Sequence, residues 1–350
     1  MPASATMKDV AAAASVSPST VSNAYNKPEQ LSAEVRHRIL AKARELGYPG
    51  PDAAARSLRS RRAGAIGLLL TEQLSYAFSD PFAVGLLAGL AEVAERTRTG
   101  LLLIPLPRYD VGTDTDELRE SVETVRRAVV DGIAAYCVDV GHPALDVIAS
   151  RGLPFAHSDH DVPGRRVVID EVGATHAVGE HLARLGHTNV AMVVDAGRAT
   201  DTPGEITDET VLYTNARLRA KGLREGLGAG ARVTLVTGGH NSVESGLAAA
   251  EFVLDRRDRP TAIAAGGDVL AFGAMQAVRR RGLAPGRDIS VTGFDDIPAA
   301  DAAGLTTVRQ PIREKGRMLG RMLLDPTYTD ERVVLPTELV IRSSTGPVRN

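Results

Sequence analysis

The sequence TMKDVAAAASVSPSTVSNAYN, residues 6–26, predicts two short helices joined by a tight turn. Thr6 can cap the first helix, and Asp9 stands three residues later, at the spacing of a capping box. Ser15-Val16-Ser17 interrupts the helical pattern. Ser17 can cap a second helix whose first position is Pro18, where the missing N–H group costs little.

The predicted second helix has one apolar side and one polar side. Val21 and Ala24 are spaced for burial, which leaves Ser19, Ser22 and Asn23 facing outward. An exposed polar helix beside a small apolar seam is typical of a helix-turn-helix that enters the major groove of DNA. The pattern therefore favours DNA binding.

A third helix is predicted between Ser32, its cap, and Gly47, which ends it. Its apolar face consists of Val35, Ile39, Leu40, Ala43 and Leu46. Three short helices bury enough apolar surface for one small all-α domain. The alternative interpretation at this point is an ordinary three-helix bundle that binds no ligand.

Charge is divided unevenly along the chain. Residues 1–62 contain 10 basic and 5 acidic residues, a net charge of +5. The whole chain contains 41 basic and 43 acidic residues, so residues 63–350 carry a net charge of −7. Positive charge concentrated on a small module fits attraction to phosphates, which dominates nucleic-acid affinity. The charge therefore favours DNA binding over the plain bundle.

Composition limits the class of protein. A chain of 350 residues allows two or three domains, and no apolar run is long enough to span a membrane. The first residues lack the basic and apolar regions of a secretion signal, and Cys137 is the one cysteine in the sequence. We therefore expect a cytoplasmic protein without intrachain disulfides or membrane contact.

From Gly64 onward, predicted strands alternate with predicted helices. The helices of the first series fall at 82–98, 114–131, 143–150 and 172–185, and those of the second at 215–226, 242–255 and 269–281. Such alternation predicts two similar lobes, each a parallel sheet covered on both faces. Ligands of such folds bind beyond the carboxyl ends of the strands, here in the cleft between the lobes. The polar segment 195–214 is either a surface loop or a lid over that cleft.

Eight ordered segments carry a resemblance that spans nearly the whole chain. They are TMKDVAAAASVSPSTVSNAYN, LGYPGPDAAARSL, HLARLGHTNVAMV, NARLRAKGL, PTAIAAGGDVLAFGAMQAVRRRGL, DISVTGFDD, LTTVRQP and ELVIRSST. Together they resemble the LacI/GalR (lactose/galactose repressor) family of bacterial transcriptional regulators. The resemblance implies an all-α helix-turn-helix head and an α/β periplasmic-binding-protein-like core of two doubly wound parallel-sheet lobes.

The resemblance also implies the domain order. The helix-turn-helix domain is expected at 1–50, a hinge helix and linker at 51–62, and the effector-binding core at 63–350. Within the core, the first lobe is expected at 63–184 and 312–326, and the second at 185–311 and 327–345. The chain ends soon after the last core strand without a leucine heptad tail, which favours a dimer over a tetramer.

The partners that the resemblance implies are double-stranded DNA with a pseudo-palindromic operator, a second copy of the chain, and a small-molecule effector such as a sugar. It implies neither a cofactor nor an enzymatic activity. The rival interpretations are a solute-binding protein that uses the same bilobed core, and an enzyme on an α/β scaffold. Neither rival explains residues 6–58.

On DNA, the family's base-reading positions fall on Pro18, Ser19 and Asn23 of this sequence. The family usually has Arg at the last position, and Asn suits adenine whereas Arg suits guanine. We therefore expect a half-site different from that of the Arg-bearing members. Contacts to phosphates are expected from Thr6, Ser17, Thr20, Ser22 and Asn26.

In the hinge, Leu58 matches the residue that the family inserts into the minor groove at the operator centre. Such a wedge unstacks a base step at a cost of roughly a few kcal/mol, which the wrapped contacts offset. Ala55 and Arg56 match the neighbouring hinge positions.

For the effector, the matched positions all follow predicted strands or begin predicted helices. They are Asp80, Phe82, Arg217, Asp268, Phe294 and Asp295. The arginine and the carboxylates can hydrogen-bond to ligand hydroxyl groups, and the phenylalanines can stack on a ring. The alternative for each phenylalanine is a place in the core, and for the arginine a local ion pair.

Two other features could carry chemistry. His157-Ser158-Asp159-His160-Asp161 could ligate a divalent metal, but no second ligand set accompanies it, so a polar loop near the cleft is the preferred interpretation. Cys137 lies in the apolar run IAAYCVDV and is expected to be an inert core residue.

Overall fold

The computed structural model describes residues 5–50, 62–71, 74–107, 115–196 and 202–349. The chain divides into two compact units, Met1–Gly64 and Ala65–Asn350, which are called the head and the core below.

The head contains three helices and one 3₁₀ turn: α1 (Met7–Ala13), α2 (Pro18–Asn26), the turn Pro28–Gln30, and α3 (Ala33–Glu45). The predicted capping box is confirmed, because Asp9 N–H donates to Thr6 Oγ1 and Thr6 N–H donates to Asp9 Oδ2 at 2.8 Å. Ser17 and Ser32 cap α2 and α3 as predicted. Ser15 has a φ of +54°, which turns the chain sharply between α1 and α2.

A small apolar core joins the three head helices. Its buried members are Val10, Ala11, Ala14, Val21, Ala24, Ile39 and Ala43. Tyr25 and Tyr48 meet edge to face beside it, with ring centroids 6.2 Å apart. The prediction was wrong for Leu46, which follows the last turn of α3 and is 41% exposed.

Six parallel strands form the first sheet of the core, in the order β12-β5-β4-β3-β1-β2. They are β1 (Ala65–Leu70), β2 (Gly100–Pro105), β3 (Ile133–Tyr136), β4 (Phe155–His157), β5 (Arg165–Ile169) and β12 (Arg332–Leu335). The helices that accompany them are α4 (Leu74–Ala77), α5 (Pro81–Thr97), α6 (Asp116–Arg127), α7 (Pro143–Ser150) and α13 (Ile312–Leu324).

The second sheet has seven strands in the order β13-β11-β10-β9-β6-β8-β7, and only its edge strands β13 and β7 are antiparallel. These strands are β6 (Asn189–Val193), β7 (Gly204–Glu205), β8 (Arg232–Thr237), β9 (Ala262–Ala265), β10 (Ser290–Asp295), β11 (Thr306–Arg309) and β13 (Glu338–Val340). Its helices are α8 (Glu171–Arg184), α9 (Thr214–Leu227), α10 (Val243–Leu254), α11 (Asp268–Arg280) and α12 (Pro298–Ala302), with a 3₁₀ turn at Glu209–Val211.

Alternate residues of the central strands enter different cores, as a sheet covered on both faces requires. On β1, Leu68 joins the cluster that contains Leu86 of α5, whereas Leu69 joins the cluster that contains Val125 of α6. On β6, Met192 and Val193 likewise belong to two different apolar clusters, one on each face of the second sheet. The predicted doubly wound lobes are confirmed.

The chain passes between the two sheets three times, after β5, after β11 and after β12. Two predicted lobe boundaries are therefore wrong. Residues 332–335 form β12, which pairs with β5 and so belongs to the first lobe rather than the second. Helix α8, expected in the first lobe, packs against α9, β11 and β13 of the second.

Two glycines explain why α8 joins the second lobe. A side chain at Gly179 of α8 would collide with the backbone of Leu223 and Leu227, and one at Gly226 of α9 with the backbone of His176. The two helices therefore touch backbone to backbone, a contact that only residues without a Cβ atom permit. Helical periodicity predicts α8 correctly but contains no information on which sheet it will cover.

Candidate functional site

Helix α2 presents the polar face that the sequence predicts. Pro18 and Ser19 are exposed at its first turn, and Asn23 is half-buried one turn later. Asn23 Nδ2 donates to Gln30 Oε1 over 3.3 Å, so its amide is held but remains at the surface. The three expected base-reading residues therefore lie along one short helix.

The hydroxyl groups at the start of α2 form a connected set. Ser17 Oγ lies 2.6 Å from Ser19 Oγ and 2.8 Å from Thr20 Oγ1, and it caps the Thr20 N–H group. Hydroxyl groups at a helix N-terminus, where the macrodipole is positive, suit contact with an anion such as a phosphate.

The other expected phosphate contacts make internal hydrogen bonds. Asn26 Nδ2 donates to the Ser22 carbonyl at 3.0 Å and approaches Ser22 Oγ at 3.2 Å. Thr6 Oγ1 donates to Asp9 Oδ2 at 2.7 Å, so its hydroxyl faces a carboxylate. The hinge positions Ala55, Arg56 and Leu58 lie outside the described residues.

In the core, two adjoining cavities of about 200 and about 120 Å³ lie beyond the carboxyl ends of the strands of both sheets. Cavity 1, the larger, is lined by residues that include Asp139, Ser158, Asp159, His160, Asp161, Glu171, Thr214, Arg217 and Lys315. Cavity 2 is lined by residues that include Thr71, Tyr76, Asp80, Asp195, Asn241, Leu270 and Asp295. Phe82, Cys137, Tyr213, Asn215 and Arg219 line both. The cleft expected from topology is therefore present, and its lining contains both polar and apolar side chains.

Four of the six predicted effector residues line these cavities: Asp80, Phe82, Arg217 and Asp295. Asp80 caps α5 by accepting from the N–H groups of Phe82 and Ala83. Asp295 has a φ of +117°, a strained conformation, and its Oδ1 accepts from Gln310 Nε2 at 2.5 Å.

The other two predicted residues are buried beneath the cavity walls and do not line either cavity, so this part of the prediction is corrected. Asp268 is fully buried, and its carboxylate accepts from Ile297 N–H at 2.8 Å and Thr307 Oγ1 at 2.5 Å. Phe294 is 1% exposed and belongs to the apolar core. Asp268 thus fixes local backbone, and Phe294 supports the arginine above it.

That arginine is Arg219, which the sequence reasoning missed in favour of Arg217. Its guanidinium lies 3.6 Å from the centre of the Phe294 ring and donates to Glu171 Oε2 at 2.6 Å and to the Gly266 carbonyl at 2.5 Å. Burial lowers the pKa of Arg219, but nearby acidic groups, chiefly the Glu171 carboxylate, raise it by a larger amount, so the net shift is upward. Arg217 is more exposed and bonds to the Leu212 carbonyl and Thr214 Oγ1.

Helical periodicity could have identified Arg219. Ala216, Ala220 and Leu223 form the inward side of α9, and Arg219 lies on that side whereas Arg217 does not. An arginine on an apolar helix face is the sequence signal of a buried, paired cation.

The same signal, a charged residue on the apolar face of a helix, was missed at Lys315 of α13. Lys315 lies one turn before the buried Leu319.

Contacts between the lobes border the cleft. Tyr76 of the first lobe donates its hydroxyl to the Asn241 carbonyl of the second at 2.8 Å. Thr214 Oγ1 of the second lobe donates to Asp161 Oδ2 of the first at 2.7 Å, and Arg217 lies 3.5 Å from the same carboxylate. The end of the polar segment 195–214 therefore contributes to the wall of cavity 1.

The loop after β4 takes part in this cleft. Ser158, Asp159, His160 and Asp161 line cavity 1, while the buried His157 ring stacks on Phe155 at 5.1 Å. Desolvation, with the nearby Arg166, lowers the pKa of His157 to about 4. Within the ranges that the structure describes, no group of three His, Cys, Asp or Glu side chains could hold a metal ion.

Cys137 differs from its prediction. It follows β3 with a φ of +55° and lines both cavities instead of lying in the strand core. Burial, with the nearby Asp159, raises its pKa well above the usual value, so the thiol is held in its neutral form.

Comparisons with known proteins match both units. The family model "Bacterial regulatory proteins, lacI family" matches residues 6–50, and "Periplasmic binding protein-like domain" matches residues 179–345. An HTH-type transcriptional regulator of Mycolicibacterium smegmatis is 40% identical, with 99% of this chain and 98% of that protein covered. A LacI-family transcriptional regulator of Corynebacterium glutamicum has a solved structure with 34% identity, a TM-score of 0.73, and coverage of 97% of this chain and 98% of that one. This chain belongs to the LacI family.

Membership of the LacI family makes the chain a DNA-binding transcriptional regulator rather than a solute-binding protein. A second relative of known structure is the transcriptional regulator CelR in complex with cellobiose. It is 26% identical, with a TM-score of 0.67 and coverage of 97% of this chain and 99% of that chain. No helix within the described ranges is long and apolar enough to cross a membrane.

Proposed function

We propose that this LacI-family protein is a repressor that binds a pseudo-palindromic operator as a homodimer and changes its DNA affinity when a sugar or related polyol occupies the cleft. Its site of action is the chromosome, in the cytoplasm. The observation that carries the proposal is the pair of adjoining cavities lined from both lobes, in a chain whose head belongs to a DNA-binding family.

The chemistry of the cleft supports a sugar. Carboxylates, an amide, hydroxyl groups and two arginines converge on it, and Phe82 supplies an apolar surface on which a sugar ring can lie. Asp80, Phe82, Arg217, Arg219 and Asp295 are the residues that we assign to ligand contact. The CelR–cellobiose complex gives a family precedent for a sugar in a core of this fold.

The control of DNA binding follows from the two-lobed architecture. Three chain crossings allow the lobes to change their orientation, and Tyr76–Asn241 and Asp161–Thr214 bond them to each other at the cleft. A ligand that contacts both lobes favours one orientation over another. A coupling free energy of about 1–3 kcal/mol would change operator affinity about 5- to 150-fold.

On the DNA, we assign base contacts to Pro18, Ser19 and Asn23, and phosphate contacts to Ser17 and Thr20. Thr6, Ser22 and Asn26 remain proposed phosphate contacts. Ala55, Arg56 and Leu58 are proposed to contact the minor groove, with Leu58 as the wedge.

The test begins with selection of DNA sequences from a random pool by the purified full-length chain. The selected site is then titrated by fluorescence anisotropy with and without D-ribose, D-glucose and cellobiose. The proposal requires a palindromic consensus and an affinity that one of these sugars changes. Sugar binding without sequence-selective DNA binding would instead favour a solute-binding protein.

A further inference from the structure

Lys315 of α13 is a buried cation that forms no ion pair with a carboxylate in the part of the chain that is described. It is 4% exposed, and its Nζ atom donates to Gln310 Oε1 at 3.1 Å and lies 5.5 Å from the centre of the Phe82 ring. No carboxylate of the described residues lies within 4.0 Å of Nζ. An ammonium group has three N–H donors, so two of them remain for a group inside cavity 1, which Lys315 lines.

Asp159 provides the opposite chemistry in the same cavity. It follows β4 and lines cavity 1, and its buried Oδ2 atom has no hydrogen-bond partner within the part of the chain that is described. Desolvation raises the pKa of Asp159 to about 7, although the backbone N–H groups of Val138 and Cys137 act in the opposite direction. An orphaned buried oxygen of this kind is costly unless a ligand supplies a donor.

The neighbouring charges of cavity 1 are already paired. Arg219 bonds to Glu171 at 2.6 Å, and Arg217 lies 3.5 Å from Asp161. Lys315 and Asp159 thus differ from these pairs, because among the described residues neither of them forms an ion pair.

One kind of ligand group suits both residues. A hydroxyl group can accept from the Lys315 ammonium and donate to Asp159 Oδ2. A phosphate or carboxylate could accept from Lys315, but it would bring a second negative charge into the cavity that the ionised Asp159 carboxylate also lines. A ligand ammonium would suit Asp159 but would be repelled by Lys315.

We propose that Lys315 and Asp159 form a hydroxyl-reading subsite in cavity 1, through which the cleft selects neutral polyhydroxylated ligands over their phosphate and carboxylate derivatives. This inference rests on the proposed function, because it assigns specificity within the same ligand cleft. Lys315 and Asp159 are specificity-determining residues, and their role is to recognise ligand hydroxyl groups.

The binding test uses isothermal titration of the full chain with D-ribose, D-glucose and cellobiose, and with D-ribose 5-phosphate, D-glucose 6-phosphate and D-glucuronate. At least one neutral sugar should bind, and its charged derivative should bind at least tenfold more weakly. Lys315→Met and Asp159→Asn should each weaken binding of the neutral sugar at least tenfold. Lys221→Met, at an exposed lysine of α9, is the matched control and should bind as the wild type does.

A second measurement decides the inference without any ligand. If Lys315 serves a ligand and not the fold, Lys315→Met removes an uncompensated buried charge, and the melting temperature of the free protein should stay equal or rise. A lower melting temperature would assign Lys315 to structure and overturn the inference. Equal sugar affinity in Lys315→Met and wild type, or tighter binding of a charged derivative, would also overturn it and leave a sugar-controlled repressor intact. Absence of binding by all six probes would count against the proposed sugar effector, and the melting temperature would still decide the role of Lys315.

Discussion

Arg219→Met should be among the most destabilising single substitutions in the core. Arg219 and Glu171 form an ion pair at 2.6 Å with side chains that are 10% and 5% exposed. Removing one partner of a buried pair costs about 3–5 kcal/mol, because the other charge stays buried without compensation. The Gly266 carbonyl also loses its donor, and we therefore expect a loss near the upper end of this range.

A second variant separates the ion pair from simple loss of packing. The double variant Arg219→Met/Glu171→Leu should lie within about 2 kcal/mol of the wild type, because it leaves no unpaired charge.

The assay is urea unfolding of the full chain, followed by far-UV circular dichroism and by the fluorescence of the 7 tyrosines, since the chain has no tryptophan. A destabilisation below about 1 kcal/mol for Arg219→Met, or a double variant less stable than the single one, would refute the reasoning. Arg217→Met serves as the control, and we expect it to cost less than about 1 kcal/mol because that side chain is 39% exposed.

Four further predictions concern DNA recognition, helix packing and the pH dependence of stability. Asn23→Arg should replace adenine by guanine at one position of the selected half-site, and an unchanged selected sequence would remove Asn23 from the base contacts. Leu58→Ala should weaken binding to the selected operator more than binding to random DNA in gel-shift titrations; equal loss on both would argue against the wedge. Gly226→Ala should lower the free energy of unfolding by about 1–3 kcal/mol, because its new Cβ atom meets the His176 carbonyl, and an unchanged urea midpoint would contradict that contact. Asp159→Asn should stabilise the free protein at pH 8, and less so at pH 5. Burial raises the pKa of Asp159 to about 7, so the wild type loses stability as the pH rises towards that value, whereas the Asn variant has no such charge. A gain in the free energy of unfolding that does not depend on pH would contradict this.

Local signals predicted the head almost completely. The capping box at Thr6 and Asp9 and the Ser17-Pro18 start of α2 depend on neighbours three residues apart, and the structure confirms both. The two parallel-sheet lobes were equally predictable, because alternation of strands and helices has few other solutions. Strand β5, which begins with two arginines, was not predicted because its apolar part is only three residues long.

The assignment of elements to lobes depends on distant contacts, which local patterns do not contain. Helix α8 joins the second lobe through the close approach at Gly179 and Gly226, and β12 joins the first through its pairing with β5. The same limit affected the cleft. Asp268 follows a strand as a ligand contact would, but its carboxylate bonds to Thr307, a residue 39 positions away.

The measurement that tests the central claim most directly is the affinity of the full-length chain for its selected operator as a function of sugar concentration, by fluorescence anisotropy at fixed salt. We predict that one sugar which binds the cleft changes the operator Kd about 5- to 150-fold, while the Kd for random DNA stays within about twofold. A sugar that binds the core but leaves the operator Kd unchanged, or equal affinity for selected and random DNA, would contradict the account.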